Sequence, residues 1–209
     1  MDLIFFGMQG SGKGTLGKWV AEKHNMKVFE MGAELRKLAS ENSELGQKVA
    51  SIINSGQLVS DEVVMEIVEN FMNNLEPGQN VIFDGIPRKI SQAKLLNEVL
   101  KKHNREYTGF LLKISQEVAL RRLTTRRICQ SCKAVYPVTY EADNCECGGE
   151  LITREDDNPE AIKTRLQAFQ DETLPAMELY KDKFIEINGE VSIEEVQRFA
   201  EETLNPILN

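Results

Sequence analysis

Leu3-Ile4-Phe5-Phe6-Gly7-Met8-Gln9-Gly10-Ser11-Gly12-Lys13-Gly14-Thr15 reads as a strand, a loop and the start of a helix. Four consecutive apolar residues have the length and content of a buried strand, and Leu16 to about His24 continues as a helix. The glycines between let the backbone curl so that its N–H groups point at one centre. A helix starting there adds the positive end of its dipole. Gly10, Ser11, Gly12, Lys13, Gly14 and Thr15 thus form a candidate cradle for the phosphates of ATP, with Lys13 reaching the outer ones. The spacing is G-x-x-x-x-G-K with Gly14 inserted before Thr15, one residue off the general form. A glycine turn without a ligand is the plainer reading, and the strand–loop–helix context weighs against it.

Outward from this loop, strand-like and helix-like stretches alternate. Residues 3–6, 81–83, 109–114 and 184–187 are apolar runs of strand length, with Val28-Phe29 a shorter candidate. Val64, Ile67, Val68 and Phe71 fall at helical spacing behind Asp61 as N-cap, and Leu95, Leu96, Val99 and Leu100 form a stripe after Ser91. Asn158-Pro159 opens a helix through about Leu174, and Ser192 and Glu195 have capping-box spacing before the last helix. The alternation predicts an α/β fold with a mostly parallel sheet covered on both faces.

The 209 residues suffice for one such domain with small insertions, and 41% are hydrophobic. A net charge of −8 argues against non-specific binding to nucleic acid or acidic membranes, so an anionic ligand needs a local basic cluster. No run approaches the roughly 18 apolar residues of a membrane span, and the N-terminus lacks a signal-peptide pattern. A cytoplasmic location is the expectation. His24 and His103 read as surface residues near helix ends.

Residues 128–153 break the alternation and read as a small inserted β unit holding every cysteine of the chain. Cys129-x-x-Cys132 and Cys145-x-Cys147, with twelve residues between the pairs, suit tetrahedral zinc. Two local disulfides or free thiols are the alternatives. Four thiolates leave no open coordination position, so the metal's role would be structural, stapling a unit too small for its own core. Such binding supplies about 10–16 kcal/mol of apparent folding free energy. A nucleic-acid-binding ribbon would be basic here, whereas 141–157 holds Glu141, Asp143, Glu146, Glu150, Glu155, Asp156 and Asp157.

Val81-Ile82-Phe83 ends at Asp84, where a carboxylate beside a phosphate loop can hold Mg²⁺ through water. Asp84-Gly85-Ile86-Pro87-Arg88 is followed by Gln92. With the loop from Gly7 to Thr15, these residues give a chain that resembles the adenylate kinase family over essentially its whole length. That family carries a D-G-[FY]-P-R segment with a glutamine four residues past the arginine. The resemblance implies a P-loop nucleoside monophosphate kinase fold. Its core would span 1–29, 60–124 and 158–209, with a helical acceptor insertion at 30–59 and a mobile β lid at 125–157.

The same resemblance implies site residues. Arg88 and Arg36 would grip the acceptor phosphate and Gln92 would read its base. Gln57-Leu58-Val59, Met31, Gly32 and Gly85-Ile86-Pro87 would line the AMP pocket. Arg122 and Arg126, one helical turn apart and so on one face, would serve ATP and the transferring group, as would Arg154 and Arg165 from the AMP side. Arg121 and Arg127 read as surface charges. Val135-Tyr136 matches a lid segment at the ATP base, with ordinary packing an equal reading. Zinc-lid members of the family usually have two C-x-x-C pairs, and here the second is C-x-C. The family also usually has Ser-Thr-Gly-Asp where this chain has Glu30-Met31-Gly32-Ala33. Met31 can pack on an adenine face but supplies no hydroxyl.

The activity implied is reversible, Mg²⁺-dependent transfer of the terminal phosphate of ATP to AMP, giving two ADP, by a monomer without nucleic-acid or membrane partners. A related kinase with another acceptor, motivated by Glu30-Met31, and a non-catalytic nucleotide-binding module are the alternatives.

Overall fold

The apolar run at the N-terminus becomes β1 (Asp2–Phe6), buried along its whole length. The computed structural model describes residues 1–137 and 139–208. After β1 come α1 (Lys13–His24), β2 (Lys27–Glu30), α2 (Met31–Ala39), α3 (Glu44–Asn54), α4 (Asp61–Asn73), β3 (Val81–Asp84), α5 (Ile90–Lys102), β4 (Tyr107–Lys113) and α6 (Gln116–Thr125). Next are three short strands, β5 (Arg127–Cys129), β6 (Val135–Tyr136) and β7 (Leu151–Ile152). The chain ends with α7 (Pro159–Ala168), α8 (Leu174–Met177), β8 (Phe184–Asn188) and α9 (Ile193–Leu208).

The main sheet runs β2-β3-β1-β4-β8 with every neighbour parallel. Parallel strands are covered on both faces, and here alternation along β1 divides the core. Ile4 and Phe6 face a cluster with Phe29, Phe83, Leu96 and Tyr180. Leu3 and Phe5 face another with Leu16, Val20, Phe110, Ala200 and Leu204. The register sets Phe5 beside Asp84 and Asp84 beside Glu30, so three strands end at one edge of the sheet. In open parallel sheets that carboxyl edge is where ligands bind. At the opposite edge, buried Asp2 takes Arg105 Nε at 2.8 Å and the Val81 N–H at 2.8 Å, tying β1 to β3.

Several caps form as their residues predict. Asn158 Oδ1 accepts the Ala161 N–H at 2.9 Å with Pro159 in the first turn, and Ser192 and Glu195 bond reciprocally at 3.2 Å. Other expectations are corrected. Asp61 is the first residue of α4 and does not cap it: Ser60 holds the cap position without a side-chain bond, because Asp61 is drawn to Ser91 and Gln92 on α5. Leu95 is exposed while Gln92 and Ala93 join Leu96, Val99 and Leu100 on the buried face. The helix from Pro159 does not end at Leu174: a π turn (Phe169–Thr173), α8 and a 3-10 turn (Glu178–Lys183) carry it on.

The insertion after α6 is a separate antiparallel sheet, β6-β5-β7. His24 and His103 do lie at the ends of α1 and α5, each half-buried with Nε2 turned inward.

Candidate active site

Gly7, Gly10 and Gly12 have φ of 144°, 83° and 101°, a backbone path that side-chain-bearing residues rarely follow. Space requires glycine as well: a Cβ on Gly7 would lie 2.5 Å from the Leu112 carbonyl oxygen. The first bond inside α1 runs from the Leu16 N–H to Gly12 O at 3.0 Å. The N–H groups of Lys13, Gly14 and Thr15 therefore point out of the helix end, as an anion site needs. Ser11 is buried and its Oγ has no partner among the described residues, which suits a hydroxyl kept for a ligand oxygen. Lys13 reaches back over the loop, donating to Gly7 O at 2.7 Å and Met8 O at 3.2 Å. Loss of water around its ammonium lowers the Lys13 pKa, while Asp84 opposes that effect.

Asp84 ends β3 beside this loop, its Oδ2 within 3.8 Å of where a Cβ on Gly14 would lie. Burial raises its pKa, and Lys13, Arg88 and Arg36 pull it back while Glu30 adds to the rise. A buried carboxylate facing the loop fits a water-mediated magnesium ligand.

The candidate acceptor residues lie on α2, which follows β2, and on the turn that follows β3. Arg36 Nη2 binds Glu30 Oε1 at 3.0 Å, and its Nη1 lies only 3.1 Å from where Gly32 would carry a Cβ. Arg88 donates from Nε to Gly85 O at 3.0 Å, and a Cβ on Gly85 would crowd its Nη2 at 3.3 Å. Both glycines thus leave room for a guanidinium. Met31 is buried under Gly85, in one cluster with Ile86 and Val59, while Leu58 is half-buried and Gln57 exposed. Pro87 is buried between Ile86 and Arg88. Gln92 is buried with both ends engaged: Oε1 accepts the Arg88 N–H at 2.8 Å and Nε2 donates to Asp61 at 3.0 Å.

The remaining arginines converge on two aspartates. Asp157 holds Arg126 at 2.5 and 2.7 Å and Arg165 at 2.7 Å. Asp156 holds Arg154 at 2.8 and 2.5 Å and Arg165 at 3.4 Å, with Arg36 at 4.0 Å. Arg122 lies apart from these, over Gly10 O and Ser11 O at 3.4 and 3.3 Å. Arg122 and Arg126 do not share a helix face, because Arg126 leaves α6 in an extended conformation, drawn to Asp157. Burial lowers the pKa of Arg36, Arg88, Arg122 and Arg126. Arg127 donates to the Tyr140 carbonyl rather than standing free.

Sequence reasoning missed Glu30, Asp61, Asp156, Asp157 and Thr173, whose Oγ1 fixes the Arg88 carbonyl at 3.1 Å. Asp156-Asp157 carry a signal in the sequence: two acids two and three residues past Arg154, in a chain with several arginines nearby, are natural counter-ions for them.

In the small sheet the four Sγ atoms lie within 4.8 Å of one another, with Cys129–Cys147 at 3.5 Å and Cys132–Cys145 at 3.4 Å. Tetrahedral zinc with Zn–S of about 2.3 Å puts sulfurs about 3.8 Å apart, so the set fits that ion. The Cys132 N–H points at Cys129 Sγ from 3.4 Å and brings that thiol down to about 6, toward the metal-binding thiolate. The C-x-C pair is accommodated by a tighter turn. The first loop closes from the Lys133 N–H to Cys129 O, the second from the Gly148 N–H to Cys145 O, one residue sooner. Lys133 and Gly148, each following a cysteine, have φ of 61° and 82°. Tyr136 turns its hydroxyl to Cys145 Sγ at 3.0 Å, and its neighbour Val135 is 51% exposed. Among the described residues no helix is long and apolar enough to cross a membrane.

Comparison with known proteins is concordant. A family model described as adenylate kinase matches residues 5–185. A protein named adenylate kinase from Fervidobacterium nodosum is 37% identical over 206 residues, 95% of this chain and 94% of its own length. One of the same name from Archaeoglobus fulgidus is 36% identical over 215 residues, 99% of each chain. Another from Clostridium beijerinckii is 37% identical over 206 residues, 95% of each.

Proposed function

The chain belongs to the adenylate kinase family and is a nucleoside monophosphate kinase, and from that premise we propose how its residues move the terminal phosphate of ATP to AMP, giving two ADP. The observation that carries the reading is the sheet edge where the phosphate loop, Asp84 and the turn bearing Arg88 meet.

Phosphoryl transfer asks a protein for positioning and positive charge. The N–H groups of Gly12, Lys13, Gly14 and Thr15, with Ser11 Oγ, bind the phosphates of ATP. Lys13 leaves the Gly7 and Met8 carbonyls for the outer phosphates. Arg36 and Arg88 hold the acceptor phosphate, and Arg122, Arg126, Arg154 and Arg165 surround the transferring group. The acceptor oxygen is already anionic, so no general base is required. Asp84 would hold Mg²⁺ through water, and that ion would neutralise charge on the terminal phosphates. Val59, Ile86 and Met31 form the apolar floor for the acceptor base, with Gly85 and Gly32 leaving room for the Arg88 and Arg36 guanidinium groups beside it. Gln92 reads the base edge after turning one end from its present partners.

Residues 1–29, 60–124 and 158–209 act as the core, 30–59 as the acceptor insertion and 125–157 as a lid. The separate β6-β5-β7 sheet supports that division. Arg126 and Arg154 lie near the two ends of the lid, so its closure carries them onto the phosphates and excludes the water that would turn transfer into hydrolysis. Structural zinc on Cys129, Cys132, Cys145 and Cys147 keeps the lid folded, and Val135-Tyr136 offers an apolar contact to the ATP base. Monomeric form and a cytoplasmic location belong to the same reading.

The test is product formation from ATP and magnesium with AMP, GMP, CMP or UMP offered separately. Preferred transfer to AMP is expected. Preference for another monophosphate, or transfer to none, would overturn the assignment.

A further inference from the structure

Glu30 ends β2 in register with Asp84 on β3, at the sheet edge that carries the phosphate loop. Its Oε1 accepts a hydrogen bond from Arg36 Nη2 at 3.0 Å. The carboxylate also acts at a distance on the rest of the site, weakly opposing the burial that lowers the Lys13 pKa and adding to the burial that raises that of Asp84. It is therefore an anion set among cations that exist to bind anions. Arg36 has a second carboxylate nearby, Asp156 at 4.0 Å, but Asp156 is already engaged by Arg154 and Arg165. Glu30 has no other ion pair among the described residues.

We infer that Glu30 is an internal competitor for the acceptor phosphate at Arg36, and so a residue that sets how tightly this chain takes its monophosphate. The inference rests on the reading of Arg36 as an acceptor-phosphate ligand. In the free protein the Glu30 carboxylate occupies the guanidinium with a charge-assisted hydrogen bond. An arriving phosphate, carrying nearly two negative charges, takes Arg36 and leaves Glu30 facing it as a like charge. Both steps weaken acceptor binding. Pre-pairing also holds Arg36 over Gly32, where a Cβ would lie 3.1 Å from Nη1. The guanidinium thus waits in place, at the cost of affinity.

The experiment is steady-state kinetics of Glu30→Gln, which removes the charge and keeps the shape, with both substrates varied. The KM for AMP should fall about three- to tenfold on loss of one competing charge at contact distance. The KM for ATP should move less than about twofold, because Glu30 acts on Lys13 only from a distance. In an Arg36→Ala background the Glu30→Gln change should have no further effect on the AMP KM. An AMP KM that stays level or rises in Glu30→Gln, while Arg36→Ala alone raises it, overturns the competitor role and leaves the Arg36 assignment standing. An AMP KM untouched by Arg36→Ala refutes that assignment, and the inference with it.

Discussion

Asp157→Asn is the change whose cost can be worked most directly. The carboxylate holds Arg126 through Nε at 2.5 Å and Nη2 at 2.7 Å, and Arg165 through Nη2 at 2.7 Å. Its side chain is 0% exposed, against 9% for Arg165 and 16% for Arg126. Asparagine keeps the shape, removes the charge and turns an N–H toward a guanidinium that has only N–H groups to offer. Breaking a buried pair from one side costs about 3–5 kcal/mol, and the partial exposure of Arg126 favours the lower end. In a protein of this size each kcal/mol moves the melting temperature by about 2–4 °C, so about 3 kcal/mol gives a fall of about 6–12 °C. Thermal unfolding without nucleotide, followed by circular dichroism, reads this. A fall of less than about 2 °C would refute the argument that one carboxylate stabilises both Arg126 and Arg165.

Gly149→Ala should loosen the cysteine cluster, because a Cβ there lies 2.6 Å from Cys129 Sγ and 2.7 Å from Ser131 Oγ. Zinc retained after dialysis should drop along with the melting temperature, and wild-type values of both would contradict the reading. Asp156 predicts an acid limb. Burial by itself raises its pKa, but the hydrogen-bonded Arg154 and the charges of Arg165 and Arg36 outweigh that and hold it below the usual carboxylate range. A lowered folded-state pKa gives stability that is present above the unfolded value of about 3.9 and is lost as pH falls through the folded value. The melting temperature should therefore fall more steeply below about pH 4 in wild type than in Asp156→Asn, and parallel curves would count against it.

What could be read from residues alone is local. Gly7, Gly10 and Gly12 have the left-handed torsions their identity permits, and Asn158-Pro159 and Ser192/Glu195 cap where their spacing places them. The apolar runs become the parallel strands, since full burial on both faces needs just such runs. Distant partners override local pattern elsewhere. Spacing put Arg126 on the Arg122 face only while the helix continued, and Asp157, 31 residues on, draws it out. Asp61 looked like a cap until α5 brought Ser91 and Gln92 against it. Glu30 looked like a departure from a family pattern, and the β2–β3 register turned it into a neighbour of Asp84 and a partner of Arg36.

In the proposed mechanism the loop that leads into Lys13 carries phosphoryl transfer. Among the described residues Lys13 bonds only two loop carbonyls and is no part of either core cluster, so Lys13→Ala should fold. The decisive measurement is the rate of ADP formation from ATP, magnesium and AMP by this variant, once its melting temperature matches wild type. A loss on the order of 10²–10³ is expected. A folded Lys13→Ala protein with near-normal turnover would contradict it.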